Sequence, residues 1–237
     1  VYAGSKIFIA DGHHRYETAA LYRDECRSEI PAAAHDLPCD FISMAFVGIN
    51  DPGLILMPVH RVLSDSGIDP EEILRRLSLC GDFQELKTGG WKESARAALS
   101  EVLANPSREP VFGVVTPGRV HLFRLDPGKG ALEVSGKPAP YAELDVTLLH
   151  EVVLQGCLGL AGSGEEAGHR IDYTVDIETA LSRLAAKQAD VAFLQRSPTL
   201  QQAWEIASKG LKMPHKSTYF YPKMPSGLAI YDHALSF

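Results

Sequence analysis

The sequence has no apolar run long enough to cross a membrane as a helix. Its longest apolar stretches, 41–49 and 54–59, are far shorter than the roughly 18 residues that such a helix needs. The chain also lacks an excess of positive charge, with 23 Lys and Arg against 30 Asp and Glu and a net charge of −7. Proteins that wrap nucleic acid normally have the opposite balance, because clustered cations neutralise phosphates. We therefore expect neither membrane insertion nor nucleic-acid binding.

The cysteines of the sequence form no Cys-x-x-Cys pair and have no histidine at the spacing of a zinc site. In a chain of this length they do not indicate a disulfide framework. We predict buried thiols and a cytoplasmic location, where thiols stay reduced. The four residues are Cys26, Cys39, Cys80 and Cys157.

The first residues lack the charged and apolar segments of a signal peptide. The chain begins with Val1, and an apolar run at 6–10 predicts a buried strand almost at once. A buried strand needs a neighbour. We expect this one to pair with upstream residues, so that the chain is a C-terminal fragment of a longer protein.

Composition and pattern predict an α+β fold. Hydrophobic residues make up 45% of the chain and charged residues 22%, as in a globular protein of one or two domains. Helical and strand-like patterns alternate, which favours a mixed, partly antiparallel sheet with flanking helices and some parallel pairing. A Pro-marked polar connector at 28–38 places a domain boundary near residue 36, between 1–36 and 37–237.

Segments 41–49 and 54–63 predict an antiparallel hairpin, in which Pro58 makes the second strand an edge or bulged strand. A further hairpin is predicted at 111–116 and 120–125. The other predicted strands are 82–87, 171–175 and 191–194, the tail 216–230 is expected to be extended, and helices are predicted at 13–27, from Pro70, and at 91–103, 146–158, 177–186 and 200–209.

The segment Asp11-Gly12-His13-His14-Arg15 lies where the first predicted strand turns into a helix. Three donor-rich side chains fall in the first turn, where the helix dipole disfavours cations. A bound anion resolves this conflict, because the helix N–H groups, Gly12 and the Arg15 fork are components of a phosphate site. The alternative is an Asp11 N-cap with surface histidines. Asp11 and substrate phosphates could also hold Mg²⁺, whereas a transition-metal site lacks further ligands nearby.

Two other segments carry polar side chains in unusual places. In 213–223, an extended backbone would put Lys216 and Thr218 on one face, suited to phosphate, with Ser217 and Tyr219 on the other. The alternative is an aromatic strand that packs a sheet edge. In 57–62, the pair His60-Arg61 ends an apolar strand and could reach a ligand, or could be a solvated strand end.

Segments 9–19, 57–61 and 213–223 together resemble the DUF1015 family of uncharacterised proteins, in its C-terminal portion. The Asp-Gly-His-His-Arg segment is also similar to the phosphate-binding motif of the ParB/sulfiredoxin superfamily, which includes partition proteins and ADP-dependent free serine kinases. His13 stands where sulfiredoxins carry their reactive Cys, which argues against sulfinic-acid reduction. The resemblance implies that 1–36 is the strand-helix remnant of a ParB-like nucleotide-binding domain, followed by a mixed α/β domain at 37–237.

The resemblance implies a nucleotide-binding protein, with ATP or ADP as cofactor, CTP as an alternative, and Mg²⁺. The expected activity is a kinase that transfers phosphate to a small metabolite such as a free amino acid. The kinases' catalytic Glu lies upstream of their motif, outside this chain. A non-catalytic nucleotide sensor and a metal-dependent hydrolase stay open as alternatives, and so does homo-oligomerisation.

Each candidate residue receives a role. Asp11 is the catalytic and metal-binding candidate. Nucleotide binding is assigned to Gly12, His13, His14, Arg15, Lys216, Ser217 and Thr218, and substrate binding to His60, Arg61 and Tyr219. We expect Lys216 and Thr218 to share one cleft with His14 and Arg15, with Cα atoms within roughly 15 Å.

Overall fold

The computed structural model describes residues 4–30, 36–105, 109–129, 134, 136–160, 170–225 and 227–233. The helices are α1 His13–Glu29, a 3₁₀ helix Pro38–Asp40, α2 Pro70–Ser78, α3 Trp91–Ala104, α4 Ala139–Ala142, α5 Asp145–Leu148, a π-helix Leu149–Cys157, α6 Ile177–Ala185 and α7 Leu200–Ser208. The strands are β1 Ile55–Met57, β2 His60–Ser64, β3 Gly81–Glu85, β4 Val111–Thr116, β5 Arg119–Leu125, β6 Arg170–Thr174, β7 Val191–Leu194 and β8 Tyr219–Tyr221.

The chain divides into two compact units. The first unit contains 1–55 and 220–237, and the second contains 56–219. The predicted boundary near residue 36 lies inside the first unit, and the assignment of 1–36 to a ParB-like remnant stays a prediction. No helix in the described part of the chain is long and apolar enough to cross a membrane. Cytoplasmic location and homo-oligomerisation also stay predictions.

The second unit is built on a six-stranded sheet in the order β3-β5-β4-β7-β2-β6. The α+β class is confirmed, but all five neighbouring pairs are antiparallel, so the parallel pairing expected in this sheet is wrong. The helix crossovers β3-α3-β4 and β6-α6-β7 do join strands that run in the same direction. In each case another strand lies between the two, β5 in the first and β2 in the second. This split arrangement turns a parallel crossover into two antiparallel ladders.

Both faces of the sheet are buried by helices. Because side chains alternate along each strand, neighbouring residues contribute to the cores on opposite faces. In β2, Leu63 faces a core formed with α2 and the π-helix, while Val62 faces a core formed with α3 and α6. In β7, Phe193 faces the same core as Leu63, and Ala192 faces the same core as Val62. The second unit therefore has three layers, with helices on each side of one sheet.

Two predicted strands are absent from the described structure. Segments 6–10 and 41–49 have no strand pairing, and apolar side chains such as Ile7 and Phe46 are about half exposed. An apolar run becomes a strand only where a neighbouring strand accepts its hydrogen bonds. The hairpin of 41–49 with 54–63 is therefore wrong. Pro58, which has no N–H to donate, separates β1 from β2, and these strands belong to different sheets.

The cysteine prediction is also wrong in part. Cys80 and Cys157 form a disulfide, although 77 residues of sequence separate them. Cys80 lies between α2 and β3, and Cys157 is the last residue of the π-helix, so the bond joins two elements that pack on the same face of the sheet. Sequence spacing gave no sign of this pairing. Cys26 and Cys39 are thiols, and of these Cys39 is buried.

We predict that loss of this disulfide destabilises the protein. In the air-oxidised, denatured chain, thiol titration should count two thiols, and four after reduction. The double variant Cys80→Ser/Cys157→Ser should lose about 2–4 kcal/mol of unfolding free energy in urea, because the bond restricts a long loop in the unfolded chain. Cys26→Ser is the control and should keep the bond. Four titratable thiols before reduction would contradict the pairing.

Candidate functional site

In the first unit, helix α1 begins without a side-chain cap. Gly12 is the N-cap residue, with φ 83° and ψ 29° in the left-handed region that favours glycine, and no side chain of the described residues caps the helix start. The Arg15 guanidinium folds back over this residue, so that a Cβ at position 12 would lie 2.9 Å from Arg15 Nη2. The alternative of an Asp11 N-cap is therefore not seen, and the first turn contains no acidic residue.

The Asp11 carboxylate lies between two cations. Its Oδ2 is 3.6 Å from Arg15 Nη2, and its Oδ1 is 3.3 Å from Lys223 Nζ. The side chains of Asp11 and Arg15 are 56% and 72% exposed, so these ion pairs are weak and a charged ligand can displace them. His14 pairs loosely with Glu17, with 3.4 Å between Nδ1 and Oε2. Sequence reasoning gave Lys223 no role, although it is the last residue of the 213–223 segment.

In the second unit, His60 and Arg61 are both fully buried on β2, so a solvated strand end is not what the structure shows. As neighbours on a strand they point to opposite faces of the sheet. His60 Nδ1 accepts a hydrogen bond from the Gln195 N–H at 3.3 Å, and His60 Nε2 has no hydrogen-bond partner among the described residues. Burial lowers the pKa of His60 to about 4, so this imidazole is neutral.

Arg61 is buried among neutral groups. Its Nε donates to His150 Nε2 at 3.2 Å, its Nη2 donates to the Lys216 carbonyl at 3.2 Å, and its Nη1 donates to the Val59 carbonyl. The guanidinium carbon lies 5.1 Å from the centre of the Tyr173 ring. Burial lowers the pKa of Arg61 to about 10, and burial together with the Arg61 charge lowers the pKa of His150 to about 4.

The segment around Lys216 is a turn, so the extended backbone begins later in the sequence than we predicted. Lys216 has φ 50°, and the Ser217 N–H donates to the Pro214 carbonyl at 3.2 Å. Strand β8 starts only at Tyr219, which is half-buried like Thr218. The Lys216 ammonium lies 4.5 Å from the centre of the Tyr173 ring. Two predicted segments therefore meet here, the one with Arg61 and the one with Lys216.

Sequence reasoning missed the residues that join these segments. His150 lies in the predicted helix 146–158 and Tyr173 in the predicted strand 171–175, and the sequence gave neither residue a role. Neither stands in a motif, and only the tertiary fold brings them to Arg61. The common cleft of Lys216 and Thr218 with His14 and Arg15 stays a prediction. Among the described residues no three His, Cys, Asp or Glu side chains are grouped so that they could hold a metal ion.

Comparison with known families decides the relationship. The model of a family described as a protein of unknown function, DUF1015, matches residues 2–147. The chain belongs to the DUF1015 family. The Asp-Gly-His-His-Arg segment lies inside the match, and the 213–223 segment lies beyond it. The resemblance of this DUF1015 chain to ParB-like proteins, and its being a fragment, stay predictions.

Solved structures are similar to the DUF1015 chain only weakly. A conserved hypothetical protein from Pyrococcus furiosus has a TM-score of 0.42 and 13% identity, over 76% of this chain and 62% of that protein. A free serine kinase in complex with AMP has a TM-score of 0.39 and 14% identity, over 73% and 56%. A variant of that kinase in complex with ADP has 0.38 and 16%, over 73% and 56%. The chain thus spans less than two thirds of these structures. No protein of curated function matches it.

We predict that stability falls as the pH drops from 7 to 5. His60 and His150 are neutral when folded, with pKa values lowered from 6.5 to about 4, and the unfolded chain therefore binds more protons in this range. The contribution of each neutral histidine to the unfolding free energy is complete above about pH 6.5 and is lost towards pH 4. By pH 5 the loss is about 1–2 kcal/mol per histidine. Urea unfolding at a series of pH values measures this loss.

The variant His60→Gln should lose part of this pH dependence, because Gln does not titrate and its side-chain oxygen can accept the Gln195 N–H. The fully exposed His14 provides the matched control, and His14→Gln should keep the dependence of the original protein. An unfolding free energy that stays constant from pH 7 to 5 would show that the buried histidines do not act in this way.

Proposed function

We propose that this DUF1015 protein binds a nucleotide at the start of α1 and, as the intact protein, transfers a phosphoryl group to a small metabolite such as a free amino acid. The observation that carries the proposal is the uncapped helix start with left-handed Gly12, against which Arg15 is folded. Free N–H groups at a helix start, together with the helix dipole, suit an anionic phosphate. The resemblance of the Asp-Gly-His-His-Arg segment to nucleotide-binding proteins supports the same assignment.

Two cations are available to the phosphates. Arg15 and Lys223 both pair with the exposed Asp11 carboxylate, and ion pairs of an exposed carboxylate are weak, so both cations can turn to a ligand at small cost. Arg15 offers a planar fork that suits two phosphate oxygens, and Lys223 offers a compact charge. ATP or ADP is the proposed nucleotide, with CTP as the alternative.

Asp11 is the proposed catalytic group and Mg²⁺ ligand. Mg²⁺ is commonly held by one or two carboxylates together with substrate phosphates, so a single exposed carboxylate beside a phosphate site fits this ion. When bound, Mg²⁺ would neutralise charge on the phosphates. Asp11 would also accept a hydrogen bond from the acceptor hydroxyl and place it for attack.

A non-catalytic nucleotide sensor is the second candidate. One observation favours it: both carboxylate oxygens of Asp11 pair with cations, Oδ2 with Arg15 and Oδ1 with Lys223. A carboxylate that holds these two cations in place can have a binding role without serving a metal ion or an acceptor hydroxyl. The metal-dependent hydrolase has no comparable support, since the described residues contain no group of three possible ligands.

We predict that Arg15→Ala abolishes nucleotide binding. A nucleotide with Mg²⁺ at 100 times its dissociation constant should stabilise the protein by about 2.7 kcal/mol, which appears as a rise in melting temperature. Arg15→Ala removes the phosphate fork and should remove this rise. Arg23→Ala, on the same helix and paired with Asp24, is the control and should retain it. No rise with ATP, ADP or CTP in the full-length protein would defeat both the kinase and the sensor.

We predict a different result for Asp11→Asn. The amide keeps the size of the side chain, so nucleotide binding should persist, whereas turnover should fall by a factor on the order of 10². The measurement is formation of phosphorylated product from amino acids and hydroxy acids by full-length protein, per folded molecule. Binding without any product in the original protein would support the sensor, and equal turnover in both forms would exclude a catalytic Asp11.

A further inference from the structure

The second unit contains a group of basic side chains with no acidic partner. Arg61, His215 and Lys216 lie around the ring of Tyr173, His150 accepts a hydrogen bond from Arg61, and among the described residues none of the four forms an ion pair with a carboxylate. We propose that this group, called here the Tyr173 cluster, binds the phosphate group of a small phosphorylated metabolite. The proposal is independent of nucleotide binding at Asp11.

The buried charge of Arg61 is the first reason. Its guanidinium is 0% exposed, and its contacts are a neutral imidazole, two backbone carbonyls and the face of an aromatic ring. Burial of a cation is costly unless an opposite charge compensates. An anion bound nearby would supply that compensation, and the lowered pKa of Arg61 agrees with the lack of one in the described chain.

The neighbouring acids are already paired. Glu151 follows His150 and accepts from Lys137 Nζ at 2.9 Å. Asp172 precedes Tyr173 in β6 and pairs with Arg170 and Arg183. The carboxylates nearest in sequence to the Tyr173 cluster therefore serve other cations, and the cluster keeps its positive charge.

The side chains of His215 and Lys216 are exposed and can reach a ligand. The Lys216 ammonium and the Arg61 guanidinium carbon lie 4.5 and 5.1 Å from the same ring centre, and the His215 ring lies 6.3 Å from it. Two cations and a histidine thus converge from β2 and the turn 214–217. The adjacent Ser217 hydroxyl is 1% exposed and has no hydrogen-bond partner among the described residues, so an unused donor lies next to the cluster.

A phosphate fits this arrangement better than a carboxylate. The usual partner of a carboxylate is a free arginine fork, but Nε, Nη1 and Nη2 of Arg61 already donate to protein atoms. The available donors are single points on different side chains, which suits an oxyanion with oxygens in several directions. Arg61 is then a positioning residue: it holds the Lys216 carbonyl, fixes the turn and adds charge, while Lys216 and His215 contact the ligand.

The test is a titration of the whole chain with inorganic phosphate at constant ionic strength, followed by ³¹P NMR and by calorimetry. We expect saturable binding, weakened at least about tenfold in Lys216→Met, which keeps the apolar stem and removes one charge-assisted contact. The exposed Lys212, on the same segment, is the control, and Lys212→Met should bind as the original does. Acetate should bind more weakly than phosphate.

Arg61 is tested by rescue. Arg61→Met should lose phosphate binding, and Arg61→Lys should recover part of it, because the ammonium restores charge without the three fixed donors. If Arg61→Met does not fold, Lys216→Met and His215→Ala carry the test alone, since both residues are exposed. Phosphate binding that is unchanged in Lys216→Met, or absent in the original protein, overturns the proposal.

Arg15→Ala separates this proposal from the nucleotide site. Inorganic phosphate binding that disappears in Arg15→Ala and persists in Lys216→Met belongs to the start of α1, and it overturns the assignment to the Tyr173 cluster. Loss in Lys216→Met with retention in Arg15→Ala supports it, whatever the result with nucleotides. Acetate binding as tightly as phosphate would also overturn the stated ligand class.

Discussion

The buried guanidinium of Arg61 is the interaction on which the second unit depends. Each of its nitrogens donates to a different place in the chain: the Val59 carbonyl just before β2, the His150 ring on the π-helix, and the Lys216 carbonyl in a turn. The Tyr173 ring covers it from β6. A buried cation must find hydrogen-bond acceptors. Its need for them fixes segments that are far apart in sequence.

The alternation of β2 separates two neighbouring residues that sequence reasoning treated as one pair. Arg61 lies on the face of Leu63, and His60 lies on the face of Val62. His60 is fixed by the Gln195 N–H, and the Gln195 side chain donates to the same Val59 carbonyl that Arg61 uses. The two faces are thus connected through one backbone oxygen, and the strand end where they meet is buried.

Sequence patterns located the elements whose neighbours stabilise what the local pattern favours. The hairpin β4-β5, strand β7 and helices α3 and α6 lie within about a residue of prediction, because periodic apolar residues mark both faces of a buried sheet. The apolar runs 6–10 and 41–49 carried the same signal without a strand beside them. The insertion of β5 and β2 into the crossovers and the bond between Cys80 and Cys157 depend on distant contacts, which local patterns do not contain.

The segment 213–223 was treated as a single candidate in the sequence, and the structure divides its cations between the two units. Lys216 belongs to the turn that Arg61 holds in the second unit, whereas Lys223 reaches Asp11 in the first unit. Between them the short strand β8 carries the chain from one unit to the other. One stretch of sequence therefore supplies a cation to each of the two units. A motif defined by sequence alone treats Lys216 and Lys223 as one group. The structure places Lys216 in the second unit and Lys223 in the first.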